Sequence, residues 1–504
     1  TAEGQWAVAD PVGRFDMADI GTFEGAIWIR PFDRWRPLPL TTFAAGYYTP
    51  GLLPRILSGD PLPPVKNLLE LNVLTPEVRL AATPSSDGQA LEVEATVCSQ
   101  VDTLPMLDGP QKLTSGAEDL RIFLDGSIVS WEDGTLKQDR KGCFPHRARV
   151  DVPAGRETLT LSAYAFNTDQ VKSDTETLEV PNPRSTEQAT PRAILVQVGV
   201  DDYAGYDLDL SFAKADAEVL SQELTVPGRE VHRVLLTEGG HAAPTKQNLQ
   251  AVLAKLAGEA SELPWLQEIP QAGPDDLVIL SFAGHGYAPD GGSFHLMLSD
   301  LERGAEAKAG LDEALHYAVS EDELTAWLRP VMAGEMALIV DACQAAASVQ
   351  GEGFKPGPLG SKGFGQLAYD KGMLVLAASQ SDAVALEDAD LGHGLLTWVL
   401  VEEGLRGGLA DVDQDGQIRL AEWLSYAEAE VPRVADAVHR GEPVHSARGQ
   451  AATVVSGTKS RLAKFGGAES DGDDEEPGTD APPAQQPRLF SYGRAGLVVV
   501  QKVK

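Results

Sequence analysis

From residue 193 onward, short apolar runs rich in β-branched residues alternate with amphipathic stretches, and this rhythm leaves few folds open. "AILVQVGV" (193–200), "VHRVLLT", "DLVILSFAG", "MALIVDAC" and "GMLVLAASQ" read as strands buried on both faces. Between them, "DLSFAKADAEVLSQEL", "TKQNLQAVLAKLAGEA" and "SEDELTAWLRPVM" read as helices. Parallel neighbours need a crossover, so the alternation predicts a mostly parallel sheet flanked by helices. In such sheets the reactive groups collect at the carboxyl ends of the strands.

A chain of 504 residues exceeds one ordinary core and should divide into two or three domains. The first 80 residues are rich in proline and tryptophan without a helical period, and are expected as an extended N-terminal segment packed on the body. Residues 81–185 show short alternating runs ("LEVEATV", "LRIFLDG", "HRARVDV", "ETLTLSAYAFN") broken by Asp-Gly and Pro-Ala-Gly turns, which predicts a small antiparallel sandwich. "PNPRSTEQATPR" (181–192) marks a boundary, and the α/β unit is expected over 190–455. In the remainder, 456–504, the stretch Ala468–Asp480 holds seven acids and no Lys or Arg, the pattern of a self-repelling loop. "RLFSYGRAGLVVVQKV" beyond it is expected to return as one final strand.

The formal charge of −34 disfavours nucleic acid or an anionic membrane surface, because phosphates are repelled. No run approaches the roughly 20 apolar residues that cross a bilayer, and a cytoplasmic location is expected. Three cysteines, Cys98, Cys143 and Cys343, leave at least one thiol unpaired, and no Cys-x-x-Cys suggests zinc.

The chemistry is expected where two of the strands end. "LSFAGHGY" and "ALIVDACQA" each close an apolar strand on a reactive group, His285 and Cys343, with the histidine 58 residues upstream. A thiol becomes a good nucleophile at neutral pH when imidazole stabilises its thiolate. A histidine about 50 residues before the cysteine is one known protease arrangement. The amides of Gly286 and Cys343 are the candidate oxyanion donors, and Gly284 is expected to let the strand turn so that the ring faces the cleft. A lone cysteine at a strand end is more often an inert core residue, and a lone Gly-His-Gly is equally weak, since "LGHGLL" (391–396) carries a second copy whose His393 is expected in a loop before a helix. Two strand-end motifs in the right order favour the catalytic pair.

"SFAGHGY" and "IVDACQA" resemble the histidine and cysteine motifs of the caspase-like peptidases, in particular the bacterial caspase and metacaspase branch. The similarity runs over about 193–455, where "VQVGVDDY", "DLSFAKADAEVL" and "VLAASQSDAVALEDADLGHGLLTWVLVEEGL" look like the family's first strand, first helix, and later strand with final helix. The resemblance implies the α/β caspase-hemoglobinase-like fold, peptide-bond cleavage through a thioester, and no cofactor for catalysis. It also implies that Asp341, two residues before Cys343, and Asp216 on the first helix line an acidic pocket, so that cleavage follows Arg, or Lys as the alternative. Carboxylates favour a guanidinium by charge and paired hydrogen bonds. A solvated helix face or a structural hydrogen bond is the plain alternative for Asp216. The chain departs from the family at Ala283, where serine is frequent, and at Gln344-Ala345-Ala346.

"DVDQDGQIRLAE" (411–422) fits a twelve-residue calcium loop, with Asp411, Asp413, Asp415, the Gln417 carbonyl and Glu422 as ligands and Gly416 at the turn. It either holds calcium or serves only as an Asp-Gly turn. The glycine-rich stretch 350–366 offers Lys355 and Lys362 as autoprocessing sites, or is a loop over the cleft. The sandwich is expected as an immunoglobulin-like spacer or docking module for a regulatory protein, with Cys98 and Cys143 structural. Protein substrates with basic cleavage sites are the expected partners. The alternatives are a silent scaffold with this fold, or a latent protease switched on by a partner or calcium. A role in bacterial defence or cell death follows from the resemblance alone.

Overall fold

A computed structural model describes residues 6–17, 26–59, 62, 64–203, 208–287, 294–301, 303–304, 315–344, 361–379, 392–440, 442, 444–445, 451–452, 486–491, 496 and 498–502. Its largest sheet is built from β1 (Arg192–Gly199), β2 (Glu230–Leu236), β3 (Leu277–Tyr287), β4 (Glu335–Gln344), β5 (Leu374–Ser379) and β6 (Gln486–Phe490). They lie in the order β2-β1-β3-β4-β5-β6, the first five parallel and β6 antiparallel to β5. Two short strands, His295–Leu296 and Val319–Ser320, extend the sheet beyond the end of β3.

All eleven residues of β3 are buried, as expected of a central strand covered on both sides. Val278, Leu280 and Phe282 face one layer of helices, α2 (Lys246–Leu256), α3 (Glu321–Leu328) and α4 (Ser361–Lys371), through Leu249, Leu253, Leu324, Leu328 and Phe364. Leu277 and Ile279 face the other, formed by α1 (Ala213–Glu223), the helical run from Leu395 to Arg406, and α5 (Leu420–His439). Local sequence starts two of these helices: Thr245 caps α2 by accepting the Asn248 N–H, and Ser320 with Glu323 forms a capping box on α3.

Within residues 77–181 two antiparallel sheets share one apolar core that includes Val93, Val97, Leu120, Ile122 and Leu161, and a separate hairpin pairs Val101–Met106 with Gly109–Thr114. One orders Ser127–Thr135, Glu118–Leu124, Thr158–Phe166 and Glu176–Pro181; the other orders Cys143–Asp151, Ala90–Cys98 and Glu77–Pro84. In the second sheet Cys143 stands directly opposite Cys98, and the two are joined in a disulfide. The first 76 residues are less extended than the sequence suggests. They hold two small hairpins, a seven-residue helix (Leu52–Ser58) and a core of their own around Phe15, Phe43 and Tyr47.

The chain's final part also differs from expectation, because it supplies two strands instead of one. Gln486–Phe490 completes the main sheet, and Val499–Lys502 pairs with Gln417–Arg419. Arg488 reaches back to Asp16, donating at 2.8 Å to a carboxylate that is 2% exposed. The two-sheet unit is fixed to the α/β unit through Tyr164 against Tyr369 of α4, with ring centroids 6.1 Å apart, and through Arg329 on Asp133 at 2.9 Å. No helix among the described residues is long and apolar enough to cross a membrane.

Candidate active site

The β3–β4 ladder sets His285 directly across from Cys343, with Ala283 opposite Asp341 one layer below. The two strand-end motifs therefore meet at the carboxyl edge of neighbouring strands. The Cys343 side chain lies outside the described structure, so its geometry rests on this register.

His285 is held on three sides. Its backbone N–H donates to the Tyr203 hydroxyl at 2.8 Å, the Tyr203 ring packs on the imidazole with centroids 4.9 Å apart, and Nε2 lies 2.7 Å from the Leu208 carbonyl oxygen. A carbonyl only accepts, so Nε2 carries the proton and Nδ1 presents a lone pair. Nδ1 is buried and has no hydrogen-bond partner among the described residues. Burial pushes the imidazole pKa down to about 4, against the opposing pulls of the Leu208 hydrogen bond and the Asp209 charge. At neutral pH the ring is an uncharged base whose Nδ1 offers an acceptor.

That burial makes stability depend on pH. Below its ordinary value of 6.5 the unfolded chain takes up a proton that folded His285 refuses, so stability present above pH 6.5 is lost as pH falls toward 4. The loss amounts to about 3 kcal/mol. Glu321 acts in the opposite direction: burial, then the Asp322 charge, raises it to about 8, and its contribution disappears as pH rises through that value. Urea denaturation at pH 7 and pH 4.5, comparing the chain with His285→Phe, isolates the histidine; equal pH dependence in the two proteins would refute its burial as a neutral base.

Gly284 does not make the sharp turn expected of it, and both glycines beside His285 are closely packed. β3 runs on to Tyr287 without a sharp turn at Gly284, where an added Cβ would lie 2.7 Å from the Tyr203 hydroxyl and 2.9 Å from the Phe282 ring. At Gly286 an added Cβ would lie 2.2 Å from the Phe294 ring, which in turn packs on Phe364 of α4. Both glycines make room for aromatic rings.

Asp216 and Asp341 converge. Asp216 is 3% exposed, which excludes a solvated helix face, and it accepts the Gly394 N–H at 3.1 Å and His393 Nδ1–H at 3.1 Å. A Cβ placed on Gly394 would lie 2.7 Å from Asp216 Oδ2 and 3.1 Å from Asp341 Oδ2, so both carboxylates address one small volume. His393 lies just before the helical run from Leu395, where the sequence placed it, but its contact with Asp216 was not foreseen. Tyr203 and the Leu208 carbonyl were also missed. Tyr203 follows the β1 strand closely enough to be suspected, whereas a backbone carbonyl has no signature in sequence.

In the acidic loop, Asp411, Asp413 and Asp415 bring ligand atoms within 4.8 Å of one another, and Gly416 turns at φ +82°. Glu422 does not join them: its carboxylate accepts the N–H groups of Val412, Asp413 and Arg419. Gln417 starts the short strand that pairs with Val499–Lys502. Arg419 lies over the cluster, 2.5 Å from Asp415 and 3.6 Å from Asp413, and supplies the positive charge itself. Calcium would have to displace Arg419 and recruit Glu422, so the fit is partial. Isothermal titration should give a calcium Kd of about 1 mM, tightened several-fold in Arg419→Gln; no heat in either protein would leave the loop as a turn. Lys355 lies outside the described residues, as does the side chain of Lys362 in the first turn of α4.

No protein-family model matches this chain, and no curated protein is significantly similar to it. The reading of the site therefore rests on its own geometry and chemistry.

Proposed function

We propose that the chain is a caspase-like cysteine endopeptidase that cuts after arginine, with lysine the weaker alternative. The observation that carries this is the pairing of Cys343 across the ladder from a neutral His285 whose buried Nδ1 has no partner among the described residues. Cys343 Sγ attacks the scissile carbonyl while Nδ1 accepts the thiol proton, which then passes to the leaving amine. Water hydrolyses the resulting thioester. The amides of Gly286 and Cys343 are proposed to stabilise the oxyanion, and the Asp216–Asp341 pair to receive the substrate's guanidinium. No cofactor enters the reaction.

The same proposal takes the α/β unit as the caspase-hemoglobinase-like fold and the two-sheet unit as an immunoglobulin-like module that docks a regulatory protein. Action in bacterial defence or cell death rests on the resemblance alone. A cytoplasmic location belongs to this proposal too, but the Cys98–Cys143 bond weighs against it, because reducing compartments keep thiols apart. A latent state is the second reading, favoured by the engagement of Asp216 with His393 and Gly394. The test is hydrolysis of fluorogenic peptides ending in Arg, Lys or Asp, with and without calcium. Arg-directed cleavage supports the proposal, cleavage after Asp removes the acidic pocket, and cleavage only with calcium or a partner favours latency.

A further inference from the structure

The hairpin of Ile27–Arg30 and Asp33–Pro39 turns one face to the N-terminal core and leaves the other bare. On the inner side the Trp28 ring meets Phe43 edge-on with centroids 5.5 Å apart, Leu38 packs against the same core, and the buried Arg30 guanidinium lies 2.8 Å from Asp33. Strand alternation sends Ile27 and Ile29 the other way, together with Pro37 and Pro39, since Ile27 stands directly opposite Pro39. All four are exposed, and Trp35, in the stretch where the register shifts, is 97% exposed. Single exposed apolar residues are ordinary, whereas five on one short hairpin, a tryptophan among them, mark an interaction surface.

The same hairpin excludes one mode of docking. Leu40 N–H donates to the Ala26 carbonyl at 3.0 Å, so the amides of residues 38 and 40 turn toward the partner strand and positions 37 and 39 face outward. Both outward positions are proline, which has no N–H, and a foreign strand finds no donors there. A partner must engage side chains. The bare face offers roughly 500 Å², short of the ~800 Å² that each side of a stable interface between folded proteins buries, so it suits a short segment and not a second copy. Charge supplies the rest. Residues 26–59 hold four arginines and one acid in a chain whose net charge is −34. Arg34 donates to the Pro31 carbonyl at 3.4 Å and meets no carboxylate among the described residues, and Arg36 lies 3.9 Å from an Asp33 that Arg30 already holds. We propose that this face docks a short acidic segment of another protein, whose apolar side chains cover Ile27, Ile29 and Trp35 and whose carboxylates meet Arg34 and Arg36. An anionic lipid surface would meet the same arginines but would also be repelled by the rest of the chain. The surface lies outside the two-sheet unit, and the inference stands apart from the endopeptidase reading.

The experiment uses the full chain and a short fluorescein-labelled peptide of glutamate, leucine and phenylalanine spaced by serine, read by fluorescence anisotropy. Two control peptides replace the glutamates by lysine, or the leucines and phenylalanines by serine. The first peptide should bind with a Kd on the order of 10 μM, and both controls should bind at least tenfold more weakly. Trp35→Ser should weaken binding of the first peptide about tenfold or more, and Arg34→Glu with Arg36→Glu should weaken it several-fold and flatten its salt dependence. Because Trp35 is almost wholly exposed, Trp35→Ser should melt at the wild-type temperature, which separates lost docking from lost folding. Binding that is unchanged in Trp35→Ser, or equal for the lysine peptide, overturns the proposal. Two further measurements on the wild type and Trp35→Ser test the other occupants. Co-sedimentation with phosphatidylglycerol vesicles that is lost in the variant would assign the face to a lipid surface, and a dimer in analytical ultracentrifugation that is lost in the variant would assign it to a second copy; either result overturns the proposal.

Discussion

Replacing His285 with alanine should lower kcat/KM for the Arg peptide about 10⁴-fold, and Cys343→Ala should lower it at least as much, because base and nucleophile act as one unit. The double variant should be no worse than the poorer single one. The expectation follows from His285, which stands directly across the ladder from Cys343 and whose buried Nδ1 has no partner among the described residues. A group left unsatisfied in a folded protein costs about 1–3 kcal/mol, which a structural histidine would avoid by turning to a donor. The same geometry predicts that the acid limb of kcat/KM lies near pH 4, well below the ordinary histidine value, because burial holds the free-enzyme imidazole neutral down to that point. Steady-state kinetics of the three variants, with the wild-type profile from pH 3.5 to 8, decides the matter. Residual Arg cleavage in His285→Ala within tenfold of wild type would remove the histidine from the mechanism.

The second large effect concerns how the two-sheet unit is held to the α/β unit. Gly372 has φ +67°, and a Cβ there would lie 1.9 Å from the Gly126 carbonyl oxygen, in the turn between Glu118–Leu124 and Ser127–Thr135. Both partners are backbone, so neither can swing aside. Gly372→Ala must then separate the surfaces or strain both, at a cost of about 3 kcal/mol or more. In calorimetry the variant should melt in two resolved transitions, the two-sheet unit apart from the α/β unit, while the wild type unfolds with the units coupled. A single unshifted transition would show that this contact does not couple them.

These two cases mark what could be read from sequence. The strands ending in His285 and Cys343 were legible because long β-branched runs buried on both faces leave little choice of element, and one shared sheet then aligns their ends. Their mutual register was not legible, nor was the role of Leu208, whose carbonyl identifies no residue type. Asp216 was singled out, yet its partner lies 178 residues away, in a Gly-His-Gly that looked like a repeat of the first. Cys98 and Cys143 gave no sign of pairing until two short strands proved to be neighbours in one sheet. The glycines show the same limit from the other side. Gly284, Gly286 and Gly394 are set by what stands opposite them, Tyr203, Phe294 and two carboxylates, and no local pattern reports a distant neighbour.

The outermost strand of the main sheet carries one more implication. An edge strand ordinarily offers a row of unused amides and carbonyls that can recruit a foreign chain. In Gln486–Phe490 the Leu489 amide is taken by the Glu428 carboxylate at 2.7 Å, and Arg488 is anchored on Asp16, the Met17 carbonyl and Tyr48. One edge amide and the Arg488 side chain of this strand are thus already engaged by the polypeptide itself. That leaves this border less to offer a binder that docks by adding a strand.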